Sequence, residues 1–449
     1  MAVSKGPQIA LTDEERFPLL DDLSFLNALR QDVFAAKFNF KSGDRLNAVQ
    51  LSKVHAHKMK YYTEKVFWNE DQTPIWIDDY LKWCIETVPF YQSKGDDFDS
   101  FPTISREDIR NFPHLFVSNE ANLEELLVYH TSGSTGPKLD VLFDAVSQAS
   151  WLPQIESVLK DFNIAITEGT NTTAIALICA QEKTLTYASL STYLEGAGIL
   201  KINLNPLEWN KPDDAVKYLE KYNPQILTGD PIAFMALLDL KPHVNPKALI
   251  SSAMKLTTGT KDKLEKYFKC PVIDLYSLTE CRNIGYATEI GHKVIRPDLY
   301  VEIFDEHEDV KLPYGKRGEL VVTGGNNPFL PLIRYRTGDF CSLKIENGIP
   351  FLVAFEARNP VVFYTKSNLK INNIDISNCL SELPLAGFRI HQRKDKKIEF
   401  LGYSNEVTSK EITEILKTVF KNDIDILADI KKISQNNTVE KTLYSSELI

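Results

Sequence analysis

The run Thr172 to Ala180, TTAIALICA, constrains this chain more than any other stretch. After its opening threonines it is apolar and partly β-branched, the pattern of a strand buried on both faces. Such a strand needs cover on two sides, and the sequence that follows supplies it. AVKYLEKYN (215–223) is helical and precedes PQILTGD, a short strand with a turn. ALISSA (248–253) and PVIDLYS (271–277) repeat the strand-then-loop pattern, with the helical TKDKLEKYF between them. Strands alternating with helices predict parallel βαβ units and an α/β fold class.

The flanks read differently. Residues 1–115 are helical and irregular. Leu51 to Phe67 carries apolar and aromatic residues at helical spacing, and IDDYLKWCIETV puts Ile77, Leu81, Cys84, Ile85 and Val88 on one helical face before Pro89 stops it. Ser105 is the expected N-cap of the next helix, with Glu107 and Asp108 in its first turn. LEELLVYH reads as a strand entering a Gly/Ser/Thr loop. From 299 to 345 short β runs take over, YVEIFD, GELVVTG, PLIRYRTGD and CSLKI, separated by the turn signals PYGKRG and GGNNP. After Arg358 glycine nearly vanishes and a small α+β unit is expected, with EITEILKTVFK (411–421) as its clearest amphipathic helix. The expected organisation is a large domain of layered α/β sheets over 1–357 (helical 1–115, α/β 116–298, a β-rich subdomain 299–357) and a small α+β domain over 358–449.

Composition narrows the function. With 43% hydrophobic and 25% charged residues among 449, the chain can bury a sizeable core and is neither disordered nor collagen-like. Its net charge of −10 argues against sequence-independent nucleic-acid binding. No stretch reaches the roughly 18 apolar residues of a spanning helix, and the first residues hold no signal-peptide run, so no membrane role and a cytoplasmic location are expected. Cys84, Cys179, Cys270, Cys281, Cys341 and Cys379 form no C-x-x-C pair and read as reduced thiols. His55 and His57 lie in a lysine-rich helix and read as a solvated face; Lys394 to Lys397 reads as a solvated turn.

The strongest local signal is Thr131-Ser132-Gly133-Ser134-Thr135-Gly136-Pro137-Lys138. Its glycines let backbone approach a ligand, and their N–H groups can cradle phosphate oxygens. Four hydroxyls add donors and Lys138 adds a mobile positive charge. It is not a Walker A loop, which needs four residues between its glycines and ends in Gly-Lys-Ser/Thr. Nor is it a G-x-S-x-G nucleophile elbow.

This segment resembles the phosphate loop of adenylate-forming enzymes: acyl-CoA synthetases, peptide-synthetase adenylation domains and luciferases. Tyr276-Ser277-Leu278-Thr279-Glu280 resembles their Tyr-Gly-x-Thr-Glu motif, and Tyr335-Arg336-Thr337-Gly338-Asp339 resembles their Tyr-Arg-Thr-Gly-Asp motif, in the same order. Val88-Pro89-Phe90-Tyr91 and the segment Pro102 to Arg110 are similar to the phenylacetate-CoA ligase branch. The resemblance implies attack of a carboxylate on ATP to give acyl-AMP, then acyl transfer to coenzyme A or to the thiol of an acyl carrier protein. An aryl or other small acid of a biosynthetic, secondary-metabolite pathway is the implied substrate. The loop, Thr131 to Gly136 with Lys138, would hold the β and γ phosphates, and Glu280 would bind Mg²⁺. Thr279 would bond the α-phosphate, Tyr276 would stack on adenine beside the Ala253 backbone, and Asp339 would take the ribose hydroxyls. Arg358 would mark the hinge of a mobile small domain and reach the nucleotide.

Departures gather at the C-terminus. Val361 stands where the hinge aspartate falls, Tyr364 to Ile371 lacks the glycine expected there, and Ser277 replaces the glycine of the middle motif. Leu443 stands at the position of the terminal catalytic lysine, with Lys441 two residues away as the candidate. Losing a donor to transition-state charge costs about 10²–10³ in rate, whereas a nucleotide cradle survives the loss. The alternative expectation is therefore a degenerate ligase homologue that binds an acyl carrier protein in, for example, a polyketide pathway and does not turn over.

Overall fold

The computed structural model describes residues 11–69, 72–130, 139–181, 184–357, 361–433 and 442–448. The N-terminal region carries α1 (Asp13–Arg16), α2 (Ser24–Arg30), α3 (Ala48–Thr63), α4 (Trp76–Thr87) and α5 (Arg106–Asn111). The face of α4 falls where its periodicity predicts, with Ile77, Leu81 and Cys84 buried and Val88 closing it. Ser105 caps α5 in a capping box with Asp108.

A short hairpin, β1 (Leu127–His130) and β2 (Asp140–Phe143), brackets the segment 131–138. Then come α6 (Ala145–Ala149), α7 (Trp151–Asp161), β3 (Thr173–Cys179), β4 (Tyr187–Ser191), β5 (Ala197–Asn203), α8 (Asp214–Tyr222), β6 (Ile226–Gly229), α9 (Pro231–Asp239), β7 (Ala248–Ser251), α10 (Thr258–Phe268) and β8 (Val272–Leu278). β3 pairs in parallel with β5 and β6, β6 with β7, and β7 with β8. β3 is buried almost throughout. Ala176 and Ile178 join the core under α8, α9 and α10; Ala174 and Ile175 join the core under α6 and α7.

The β-rich part continues the same sheet. It comprises β9 (Arg282–Ala287), β10 (His292–Val294), β11 (Leu299–Phe304), β12 (Arg317–Gly324), β13 (Leu332–Glu346) and β14 (Ile349–Ala357). The sheet runs β11-β12-β13-β14-β10-β9-β8-β7-β6-β3-β5-β4. Strand β8 is the pivot: Val272 to Asp274 pair in parallel with β7, whereas Leu275 onward pairs antiparallel with β9. PLIRYRTGD and CSLKI, expected as separate runs, form the single 15-residue β13. The turn-like Thr337-Gly338 is absorbed as an irregularity, with Gly338 at φ +77°.

The C-terminal unit holds β15 (Val362–Tyr364), β16 (Lys370–Asn372), α11 (Asn373–Leu380), β17 (Gly387–Gln392), β18 (Ile398–Tyr403), α12 (Ser409–Val419), β19 (Ile426–Lys431) and β20 (Leu443–Ser446). Its sheet, β19-β18-β17-β20, and its helices enclose a core of their own around Phe363, Ile376, Phe388 and Leu416. Thr257 Oγ1 donates to the Leu383 carbonyl at 2.7 Å, and Ala386 and Tyr403 join the core beneath α9 and α10.

Candidate active site

The pivot of the sheet positions the site. In open α/β sheets ligands bind at the carboxyl ends of strands where the topology changes, and β8 changes partner direction at Leu275, one residue before Tyr276. The register then shifts between Tyr276 and Ser277, so Ser277 stands at the irregularity where the resembled motif has glycine. Thr279, half-buried, and Glu280, buried, form the turn into β9.

Two five-residue segments meet end to end here. The Tyr276 hydroxyl donates to Asp339 Oδ2 at 2.6 Å, and the Tyr335 hydroxyl donates to Glu280 Oε1 at 2.9 Å. The first residue of each segment thus bonds the last residue of the other, although β14, β10 and β9 separate β13 from β8 in the sheet. Burial, then the neighbouring carboxylate, pushes both phenols well above their ordinary range, so both remain donors at any working pH. The Tyr276 ring packs on Phe355 with centroids 4.3 Å apart.

The middle of the second segment is structural. Arg336 bonds Glu319 at 2.7 Å, Thr103 at 2.9 Å and the Asp305 carbonyl at 2.9 Å, while Thr337 bonds the Leu320 carbonyl at 2.8 Å. These contacts hold the strand irregularity that presents Asp339.

Three groups escaped the sequence reading. Arg106, in the first turn of α5, places Nη1 3.2 Å from Glu280 Oε1. The segment Pro102 to Arg110 resembles the phenylacetate-CoA ligase branch, but nothing in its spacing points to a partner 174 residues away. Asp274 precedes Tyr276 by two residues on the same face of β8, and His292 Nε2 stands 4.0 Å from its Oδ2. Burial pushes the Asp274 carboxyl up to about 7. Burial, then the Lys255 charge, pushes His292 down to about 4. Over most of the intervening range both groups are neutral, so this is not an ion pair. Ala253, in the loop after β7, is exposed with a left-handed φ of +67°, an uncommon conformation for a residue other than glycine.

Histidines 55 and 57 part company with the expectation of a solvated face. His55 is exposed, but His57 is half-buried with Nδ1 2.7 Å from Ser150 Oγ, and burial lowers its pKa. The cover comes from α7 packing across α3, which α3's own sequence does not reveal. Lys394 lies in the expected turn, but Lys396 Nζ donates to the Thr365 and Lys366 carbonyls at 3.1 and 2.9 Å, tying down the loop that lacks glycine. Thr131, Ser132, Gly133, Ser134, Thr135, Gly136, Lys138, Arg358 and Lys441 lie outside the described residues.

The donor set suits a hard cation only in part-protein coordination. Among the described residues no group of three His, Cys, Asp or Glu side chains gathers to hold a metal. A single buried carboxylate at a phosphate site is the way Mg²⁺ is commonly held, with waters and phosphate oxygens completing its shell.

Comparison with known proteins finds relatives by sequence and by fold. The family model described as AMP-binding enzyme matches residues 91–327, over half of the chain. Phenylacetate-coenzyme A ligase of Aromatoleum evansii is 24% identical over 294 residues, 59% of this chain and 64% of that ligase, so the chain spans just under two thirds of that relative's length. Protein CapK of Staphylococcus aureus is 23% identical over 368 residues, 78% of this chain and 73% of CapK. The fold is similar to that of 2-hydroxyisobutyryl-CoA ligase in complex with 2-HIB-AMP, with a TM-score of 0.61 at 16% identity over 84% of this chain and 91% of that one. With the family model spanning the pivot strand and the Tyr276–Glu280 segment, the chain belongs to the AMP-binding enzyme family.

Proposed function

We propose that the protein activates a small carboxylic acid with ATP as acyl-AMP and passes the acyl group to a thiol, that of coenzyme A or of an acyl carrier protein, in the cytoplasm. The observation that carries this reading is the crossed pair Tyr276–Asp339 and Tyr335–Glu280. It joins an aromatic side chain and two carboxylates, Asp339 half-buried and Glu280 buried, the residue types on which a base, a ribose and Mg²⁺-bound phosphates draw.

The chain's own residues do the positioning. Asp339 accepts from the ribose hydroxyls in charge-assisted bonds. Tyr276 offers its ring to adenine beside the Ala253 backbone. Thr279 bonds the α-phosphate, and the 131–138 loop takes the outer phosphates. Glu280 would hold Mg²⁺, which when bound supplies charge neutralisation at the phosphates. Such chemistry rests on positioning and electrostatics more than on proton transfer. We place the domain boundary after Ala357, with Arg358 as hinge and Lys441 as the donor from the small domain.

ATP–pyrophosphate exchange with pooled carboxylates tests this. Acid-dependent exchange in the wild type that Glu280→Gln abolishes is the expected result. Exchange unaffected by Glu280→Gln would overturn the assignment. One observation favours the second reading, a carrier-protein-binding helper: Lys396 closes down the loop 364–369, where a thiol acceptor would need close backbone approach.

A further inference from the structure

The connection between β10 and β11 buries a charge pair, Arg296 and Asp298, whose side chains are 1% and 3% exposed. Their contact is a fork. Arg296 Nε donates to Asp298 Oδ1 at 2.9 Å, and Nη2 donates to Oδ2 at 2.6 Å. The third nitrogen, Nη1, donates to the Cys281 carbonyl, and Cys281 directly follows Glu280. The carboxylate fixes the plane of the guanidinium, and that plane fixes the carbonyl.

The turn needs such a hold. Arg282, the next residue, leaves it at a left-handed φ of +67°, a conformation that costs a residue with a Cβ and persists where the surroundings impose it. On the far side of Arg282 the Asn283 N–H donates to Gln154 Oε1 at 3.3 Å. Gln154 Nε2 donates to the Tyr61 hydroxyl at 3.4 Å, and that hydroxyl donates to Asp298 Oδ2 at 3.2 Å. One connected buried network thus clamps the carbonyl before the strained residue and the amide after it. Asp298 gathers the run 324–327 as well. It accepts from Asn326 Nδ2 at 2.7 Å, and its carbonyl accepts from the Gly325 N–H at 3.1 Å. Asn327 Nδ2 donates in turn to the Leu142 carbonyl in β2, the strand that follows 131–138.

Stability is a poor reason for this arrangement, because a buried ion pair gains little over well-packed apolar residues of the same size. What the pair supplies is direction. We propose that Arg296, held by Asp298, is a positioning residue: through the Cys281 carbonyl it sets the place of the Glu280 carboxylate. This rests on the reading of Glu280 as the Mg²⁺ ligand. A displacement of about 1 Å at such a site costs about a hundredfold in rate.

The test separates position from stability. The double variant Arg296→Met with Asp298→Asn removes both charges, so neither is left buried and unpaired. Arg296→Lys keeps the charge beside Asp298 and loses the fork. Urea unfolding, calorimetric binding of AMP and of ATP with and without Mg²⁺, and ATP–pyrophosphate exchange with pooled acids are measured on both variants and on wild type. The expected result is an unfolding midpoint close to wild type and unchanged AMP affinity, while the tightening of ATP binding by Mg²⁺ and the kcat of exchange each fall about tenfold or more at constant KM for the acid. Should the double variant lose its midpoint, Arg296→Lys carries the same comparison. Mg²⁺ tightening and exchange kept at wild-type level would reduce the pair to structural support and overturn the proposal while leaving adenylation intact. AMP affinity lost in step with them, or ATP binding that Mg²⁺ does not tighten in the wild type, would overturn it equally. A wild type that exchanges no acid, with Mg²⁺ tightening that still falls in the variants, would refute adenylation and leave the role of Arg296 standing.

Discussion

Asp274 and His292 make opposed contributions to stability that nearly cancel in the wild type, and removing either exposes the other. Burial raises the Asp274 carboxyl from 3.8 to about 7. The folded state therefore binds more protons at this site than the unfolded state between those values. Its stabilising contribution is full below pH 4 and is lost as pH rises through 7. His292 goes the other way, from 6.5 down to about 4. Here the unfolded state binds more protons, so the contribution is full above pH 6.5 and lost as pH falls through 4. At about 1.4 kcal/mol per unit, each shift corresponds to roughly 3–4 kcal/mol, which residual solvent contact trims to about 2–3 kcal/mol. That contact is 20% of the Asp274 side chain and 16% of His292. Urea unfolding midpoints from pH 4 to 8 for wild type, Asp274→Asn and His292→Asn measure this as mutant-minus-wild-type differences, in which other titrating groups drop out. The Asp274→Asn difference should climb by about 2–3 kcal/mol toward pH 7, and the His292→Asn difference should fall by a similar amount between pH 4 and 6.5. Difference curves flat with pH in both variants would refute the argument.

Three further outcomes follow from named contacts. Tyr335→Phe removes the phenol that bonds the buried Glu280 carboxylate, a loss of about 1.5–3 kcal/mol, and should slow ATP–pyrophosphate exchange about tenfold to a hundredfold with little change in acid binding. Glu302→Gln leaves the buried Arg334 guanidinium without its carboxylate, which sits 3.2 Å away at both nitrogens; a loss of about 3–5 kcal/mol is expected in urea unfolding, and an unchanged midpoint would show that the Asp99 and Phe101 carbonyls suffice. Gly259→Val drives a side chain into the backbone from Glu382 to Pro384 and should raise protease sensitivity of the C-terminal unit while sparing the large sheet; equal protection of both variants would show that the units separate freely already.

What could be read from the chain beforehand follows local physics. The βαβ stretch was legible because TTAIALICA and its successors carry their burial in consecutive residues. The helix ends at Ser105 and Pro89 were legible because caps and breakers act within a few positions. The unity of β13 was not, because Thr337-Gly338 has turn chemistry that pairing with β12 overrides. Contacts between distant segments were also hidden. The motifs at 276–280 and 335–339 were recognisable separately, but their crossed hydrogen bonds join residues 55 and 63 positions apart through the fold. Arg282 carried no signal, since an arginine two residues after Glu280 reads as a solvated side chain, and only the fold stacks it over Phe143.

The two parts of the molecule are held by forces of different strength, and this bears on motion. The cradle on the large domain is fixed by hydrogen bonds among buried groups, where a lost partner leaves a desolvated atom and costs accordingly. Among the described residues, the contact with the C-terminal unit includes Thr257 and Thr260 bonding the Leu383 and Leu385 carbonyls, the Gly259 N–H bonding the Ser381 carbonyl, Asn405 bonding Asp239, the side chains of Ala386, Tyr403 and Ile433 against the core beneath α9 and α10, and the ion pair of Lys263 with the exposed Glu406. An exposed ion pair contributes about 0–1 kcal/mol, and water can replace the hydroxyl bonds once the surfaces part. The apolar side chains are then the main resistance to separation. Reorienting the C-terminal unit therefore means parting Ala386, Tyr403 and Ile433 from the core beneath α9 and α10. The acyl-AMP formation and thiol transfer proposed above would use that boundary, the apolar side chains setting how readily the C-terminal unit parts from the large sheet.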